Sequence, residues 1–222
     1  MLGSDFTLAV VLNELDSIPP IEVADAIEFR MDHCTDPLVQ LNRYEGDLPI
    51  IATNRAPWEG GSAADGPERL EMLADVIALP HVAAVDIELR SLKDGDGTMV
   101  KSLAADHGVD TIVSWHDFDQ TPSRSELTER LHTAATSGTV GKCAVQANSR
   151  EDVLRLLSVT HELHQSGHRI ATMSMGSIGK HSRVILPLYG SEIGYAPVDI
   201  EAASAPGQIE LEMMATFLDA LQ

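Results

Sequence analysis

Eight short runs of apolar and β-branched residues alternate with longer amphipathic stretches along the 222 residues of this chain, and that alternation constrains its fold more than any other feature. Each such pair reads as a βα unit, which lays a strand beside its predecessor in a parallel sheet and covers it with a helix. The patterning predicts strands over residues 7–12, 26–31, 49–53, 84–88, 110–115, 140–145, 170–175 and 193–198. Helices are most strongly predicted over 67–79, 126–137, 151–165 and 208–221. Several carry their own boundary signals: Pro67 suits a first helical position, Ser123 with Glu126 resembles a capping box, and Gly138 and Gly167 follow helices as stops. Eight strands in this order predict an α/β fold, a single closed (β/α)8 TIM barrel. An open doubly wound sheet is the competing topology, but no glycine-rich phosphate loop follows the first strand. No linker or low-complexity tract divides the chain, so residues 1–222 are expected to form one catalytic barrel domain.

Charge narrows the partners. Thirty-four acidic against fifteen basic residues give a formal net charge of −19, which argues against nucleic acid or an anionic membrane, since both require a basic footprint. Only four of the basic residues are lysines, Lys93, Lys101, Lys142 and Lys180. An acidic, lysine-poor surface stays hydrated in concentrated salt, where screening relieves its self-repulsion, so a salt-loving cytoplasm is the expected setting. Cys34 and Cys143 are isolated, with no CxxC spacing to imply a disulfide framework or zinc knuckle. No segment approaches the length of uninterrupted apolar residues that crosses a membrane, and no basic, then apolar leader opens the sequence.

A (β/α)8 barrel places its reacting groups where strands end and βα loops begin. Glu28 and Arg30 end the second strand, with Asp32 just beyond; Arg55 and Glu59 follow the third, and His116 and Asp117 the fifth. Lys142 lies on the sixth strand and Met175 ends the seventh. Lys142 interrupts the apolar run Val140, Gly141, Cys143, Ala144, Val145, where desolvation is expected to lower its pKa from about 10.4 and leave part of it neutral and nucleophilic. That is the chemistry of a Schiff-base lysine; the alternative is an edge lysine whose stem lies along the sheet and whose head reaches water. Glu28 and Arg30 point to one face of their strand, either toward a polar ligand or into an ion pair of their own. Histidine titrates near neutrality, so His116 is a candidate both to take and to return a proton, although a lone histidine also serves structure. After Met175, a glycine-bearing turn leads to Arg183, which suits a carboxylate or phosphate. Ser204 and Gln208 open the last predicted helix, either holding an anion there or simply capping it.

Taken together these segments resemble the type I 3-dehydroquinate dehydratases, the Schiff-base enzymes of the shikimate pathway. The blocks that carry the resemblance are Glu28-Phe29-Arg30-Met31-Asp32, Thr53-Asn54-Arg55 with Glu59-Gly60-Gly61, His116-Asp117-Phe118, Lys142 with Ala144, Met175 to Arg183, and Ser204 to Ile209. The resemblance implies a lyase acting on 3-dehydroquinate, without metal or organic cofactor. Lys142 would condense with the C3 ketone, His116 would move the C2 proton, and Glu59 would orient the histidine. Glu28, Arg30 and Arg55 would surround the substrate hydroxyls, Arg183, Ser204 and Gln208 the carboxylate, and Met175 would line the pocket. A cytoplasmic homodimer is the expected assembly. Two departures stand out: Thr139 occupies a position where the family commonly has aspartate, and about six residues precede the first strand, so the barrel floor is expected to be closed differently or left shallower. A lysine-dependent aldolase-like barrel and a non-catalytic metabolite-binding barrel remain alternatives. A metal-dependent hydrolase is disfavoured by nine histidines without an HxH or HExxH pair.

Overall fold

The structure, a computed structural model, describes residues 2–3, 6–93, 95–202 and 207–221. Among these, eight strands run parallel: β1 (Thr7–Leu12), β2 (Ala26–Arg30), β3 (Ile50–Thr53), β4 (Val82–Glu88), β5 (Asp110–Asp117), β6 (Val140–Gln146), β7 (Ile170–Met175) and β8 (Ile193–Pro197). Their hydrogen-bonded order is β7-β6-β5-β4-β3-β2-β1-β8. The remaining gap, between β7 and β8, is crossed by the Glu192 amide, which donates to the Ile170 carbonyl at 2.7 Å. The result is a nearly closed (β/α)8 barrel, as the alternation predicts.

The helices are α1 (Pro37–Arg43), α2 (Pro67–Val76), α3 (Gly95–Asp106), α4 (Arg124–Ser137), α5 (Arg150–Gln165), α6 (Gly176–Gly179), α7 (Ser182–Ile185) and α8 (Leu211–Leu221). The capping box at Ser123 and Glu126 is formed, and a second one opens α5 at Ser149 and Asp152. One boundary differs from expectation in a way that bears on function. The last helix begins at Leu211 rather than at residue 208, because Gln208 and Ile209 are buried in the segment leading to it. No helix of the described residues is long and apolar enough to cross a membrane.

Side chains alternate along each strand between the barrel interior and the helical layer. Apolar residues from the outward faces pack under the helices, for example Phe29, Ile87 and Leu73 on one side and Val113, Cys143 and Leu131 on the other. The interior is stratified. Its lower layer is apolar, built from Ala9, Ala26, Ile51, Ala84, Ile112, Val140, Ala171 and Ile193. Leu2 joins this cluster, and its amide donates to Asp110 Oδ2 at 2.7 Å, which ties Leu2 to the N-terminal end of β5. One pleat higher, two residues further along each strand, stand Glu28, Thr53, Asp86, Ser114 and Lys142, all buried. The barrel is therefore dry below and charged above, which puts its chemistry at the C-terminal ends of the strands.

Candidate active site

Lys142 rises from the middle of β6 into that charged layer and is 4 % exposed. Its Nζ lies 3.0 Å from Asp86 Oδ2, 3.3 Å from Glu28 Oε1 and 3.9 Å from the centre of the Tyr195 ring. Burial alone would push the ammonium down, but Asp86 and then Glu28 outweigh it and hold the Lys142 pKa above its ordinary value. This reverses the expectation from sequence: the apolar neighbours of Lys142 along its strand face the helices or lie one pleat below or above it, whereas its own side chain meets two carboxylates.

A line of alternating charges continues from this lysine across the barrel. Arg55 is fully buried, with Nη2 2.8 Å from Asp86 Oδ2 and Nη1 3.3 Å from Glu88 Oε1 and 2.6 Å from Ser114 Oγ. Glu88 in turn accepts from Arg69 Nη1 at 2.6 Å, and Arg69 also donates to Ser91 Oγ at 2.7 Å. Each buried charge thus has an opposite neighbour, the condition under which burial is tolerated. Asp86 sits well below the usual carboxylate range because Arg55 and Lys142 overcome its desolvation.

His116, on β5, stands above this layer. Its Nδ1 lies 2.8 Å from Glu59 Oε2, and its ring stacks on Phe118 with centres 5.9 Å apart. Burial, with the Arg55 and Lys142 cations behind it, lowers the His116 pKa well below 6.5, so its resting form is the neutral imidazole. Glu59 ends the tight turn Pro57–Glu59, and burial pushes its carboxyl up to about 8 against the pull of Arg55. The turn is pressed onto β3: a Cβ on Gly61 would stand 2.0 Å from the Arg55 carbonyl oxygen, so only glycine lets Glu59 approach the histidine this way.

Arg30 lies at the rim and is gripped by Asp32 through Nε and Nη2 at 2.8 and 2.7 Å. The same Asp32 accepts from the Ser62 amide at 3.1 Å, which ties the rim arginine to the loop carrying Glu59. Opposite them, Arg183 on α7 is buried, donates from Nε to the Gly207 carbonyl at 3.0 Å, and faces no carboxylate among the described residues. Burial without a counter-charge lowers its pKa to about 10, leaving a buried cation that still carries its charge at neutral pH. Gly207 has φ +78° and a Cβ there would meet the Gly176 carbonyl oxygen at 2.4 Å, so this close backbone contact fixes the arginine.

Lys142, Glu28, Arg55, His116, Glu59, Arg30 and Arg183 border one cleft, with Met175 and Gln208 on its wall. The structure brings together Lys142, His116, Glu59, Glu28, Arg30, Arg55, Met175, Arg183 and Gln208 as expected. Ser204 lies outside the described residues. Gln208 reaches the cleft from the extended segment before α8, not from a helix N-terminus. Asp86, Glu88, Ser114 and Tyr195 are neighbours of Lys142 and Arg55 that the sequence did not single out. Their signal was present, since Asp86 and Glu88 are spaced along β4 as Glu28 and Arg30 are along β2. Among the described residues no group of three or more His, Cys, Asp or Glu is placed to hold a metal ion.

Comparison with known proteins adds independent findings. A family model described as type I 3-dehydroquinase matches residues 7–222. The chain is 46 % identical over 221 residues to a 3-dehydroquinate dehydratase of Haloarcula marismortui, covering 98 % of this chain and 96 % of that relative. Among solved structures, 3-dehydroquinate dehydratase from Geobacillus kaustophilus superposes with a TM-score of 0.87 at 26 % identity, covering 99 % of this chain and 92 % of that one. The type I 3-dehydroquinate dehydratase from Clostridium difficile, solved with covalent modified comenic acid, gives 0.85 at 26 % identity over 99 % and 93 % of the two chains.

Proposed function

This chain belongs to the type I 3-dehydroquinase family, and from that premise we propose that it dehydrates 3-dehydroquinate through a Schiff base on Lys142, with His116 as acid and base. The observation that carries this reading is the meeting in one cleft of a buried lysine amine, a histidine held by a carboxylate, and a buried arginine that has no carboxylate partner among the described residues. Arg183 and Gln208, with Ser204, would take the substrate carboxylate; Glu28, Arg30 and Arg55 would border its hydroxyls, and Met175 would pack on its ring.

Lys142 enters as an ammonium, so a proton must leave before it attacks, and neutral His116 is the acceptor facing the same cleft. The amine then bonds to C3 and water departs to leave an iminium. Its positive charge sits where the ammonium charge was, so Asp86 and Glu28 favour the protonated imine for the same reason that they favour the protonated lysine. The iminium withdraws electrons from C2. His116 removes a C2 proton to give an enamine, and the returning electron pair expels the C1 hydroxyl, which leaves as water with the proton from His116. Hydrolysis of the imine releases 3-dehydroshikimate. The protonated imine is the electron sink, so the elimination calls for neither metal nor organic cofactor.

The deciding experiment treats protein and 3-dehydroquinate with borohydride and maps the reduced adduct by mass spectrometry. Attachment at Lys142 is expected; attachment at Lys93, Lys101 or Lys180, or none, would overturn the assignment. Growth of the conjugated enone absorbance in the unreduced reaction separates dehydration from aldol chemistry on the same imine.

A further inference from the structure

Tyr195 is the one side chain against Lys142 whose hydrogen-bonding group has no partner beyond that lysine among the described residues. It lies on β8, one pleat above Ile193, is 4 % exposed and lines the cleft. Its ring lies against the lysine Nζ at 3.9 Å, and apart from that lysine its buried hydroxyl has no hydrogen-bond partner among the described residues. The two carboxylates nearby are already engaged, Glu28 by Thr53 and Lys142, and Asp86 by Arg55, Ser114 and Lys142. A buried polar group without a partner is disfavoured, and phenylalanine would fill the same space and present the same ring face to the ammonium. In the resting protein the hydroxyl is therefore coupled to the Lys142 nitrogen and to no other described group.

We propose that Tyr195 is a further catalytic residue, whose hydroxyl relays a proton from the Lys142 nitrogen to the C3 oxygen as the carbinolamine forms. The proposal rests on the Schiff-base reading of Lys142. When the neutral amine bonds to C3, the C=O π pair moves to oxygen, leaving an N–H bearing positive charge and an alkoxide on one carbon. Direct transfer between them would pass through a strained four-membered ring. A hydroxyl spanning both atoms makes the ring six-membered: the Tyr195 proton goes to the alkoxide while the nitrogen proton goes to the Tyr195 oxygen. Tyrosine is regenerated, and no outside acid is consumed. In the next step the C–O bond breaks as the nitrogen lone pair forms C=N, and the departing hydroxyl takes the proton that His116 removed from Lys142.

The test is Tyr195→Phe, which keeps the ring and removes the relay. Single-turnover mixing with 3-dehydroquinate, quenched at intervals with borohydride, reads the rate at which the Lys142 adduct appears. That rate is expected to fall by roughly 10²-fold, the scale of a positioned proton-transfer group. Affinity for the alcohol made by reducing the C3 ketone should be unchanged, and the melting temperature of the free protein equal or higher, because the buried hydroxyl removed has no described partner beyond Lys142. Adduct formation at the wild-type rate, or a lower melting temperature showing that the hydroxyl was structurally paired, would overturn the proposal. Failure of the wild-type protein itself to form a Lys142 adduct would instead remove the Schiff-base reading on which it rests.

Discussion

The Lys142 ammonium and the Asp86 carboxylate face one another across the barrel interior, Nζ to Oδ2 at 3.0 Å, with Asp86 1 % exposed. Asp86 also receives Arg55 Nη2 at 2.8 Å, so one carboxylate joins Lys142 to the buried charge line that ends at Arg69. The site does not make its lysine reactive by lowering its pKa. In the proposed mechanism it would hold a positive charge at the nitrogen both before and after condensation, and leave deprotonation to neutral His116.

Asp86→Asn should therefore impair catalysis and folding together. Removing one partner of a buried ion pair leaves the others uncompensated, at a cost of about 3–5 kcal/mol. Turnover is expected to fall by roughly 10²-fold or more, as both ammonium and iminium lose their nearest anion. Melting curves and steady-state rates check this; a variant with wild-type turnover would show that the imine needs no carboxylate there.

The pH profile should report Glu59. Below its pKa of about 8 the protonated carboxyl donates to His116 Nδ1, which puts the imidazole proton on Nε2 and removes its basic lone pair. Above it, the carboxylate accepts from Nδ1–H and frees Nε2 to act as base. Hence kcat/KM should rise as pH increases through about 8, while His116, already neutral, adds no limb near 6.5. In Glu59→Gln the limb at 8 should disappear; its persistence would assign that ionisation to another group.

Arg183→Met should weaken binding far more than it slows chemistry. The guanidinium is buried and faces no carboxylate among the described residues, so a substrate carboxylate would be its counter-ion. Loss of a charge-assisted contact of this kind costs about 1.5–3 kcal/mol, or roughly ten- to a hundredfold in KM. Equal affinity of wild type and variant for a carboxylate-bearing analogue would rule out that role.

Much of this was legible in the sequence for one reason: strand periodicity sorts residues by face. Once 26–31 is a strand, Glu28 and Arg30 share a face, and the same rule applied to β4 would have supplied Asp86 and Glu88. Helices α1 and α3 were harder to read. The first spans only Pro37–Arg43, and the second opens on Gly95-Asp96-Gly97, which blurs the apolar period. What periodicity does not encode is which side chains meet across the barrel. Lys142 and Asp86 are 56 residues apart, and that separation is why the lysine pKa was expected to move down when the fold moves it up.

Salt should stabilise this protein. A formal charge of −19 with only four lysines means that its carboxylates chiefly face other carboxylates across solvent, and such repulsion acts over several ångströms. Raising chloride salt from 0.1 M to 1 M shortens the screening length from about 10 Å to about 3 Å and removes most of that penalty. The buried line from Lys142 to Arg69 is barely screened, because water and ions do not lie between its members. Melting temperature should therefore climb with potassium chloride, while the borohydride-trapped adduct remains on Lys142 at every salt concentration. A flat or falling melting curve would show that the acidic surface carries no net repulsion to relieve; loss of the adduct at high salt would show that the charge line is open to ions after all.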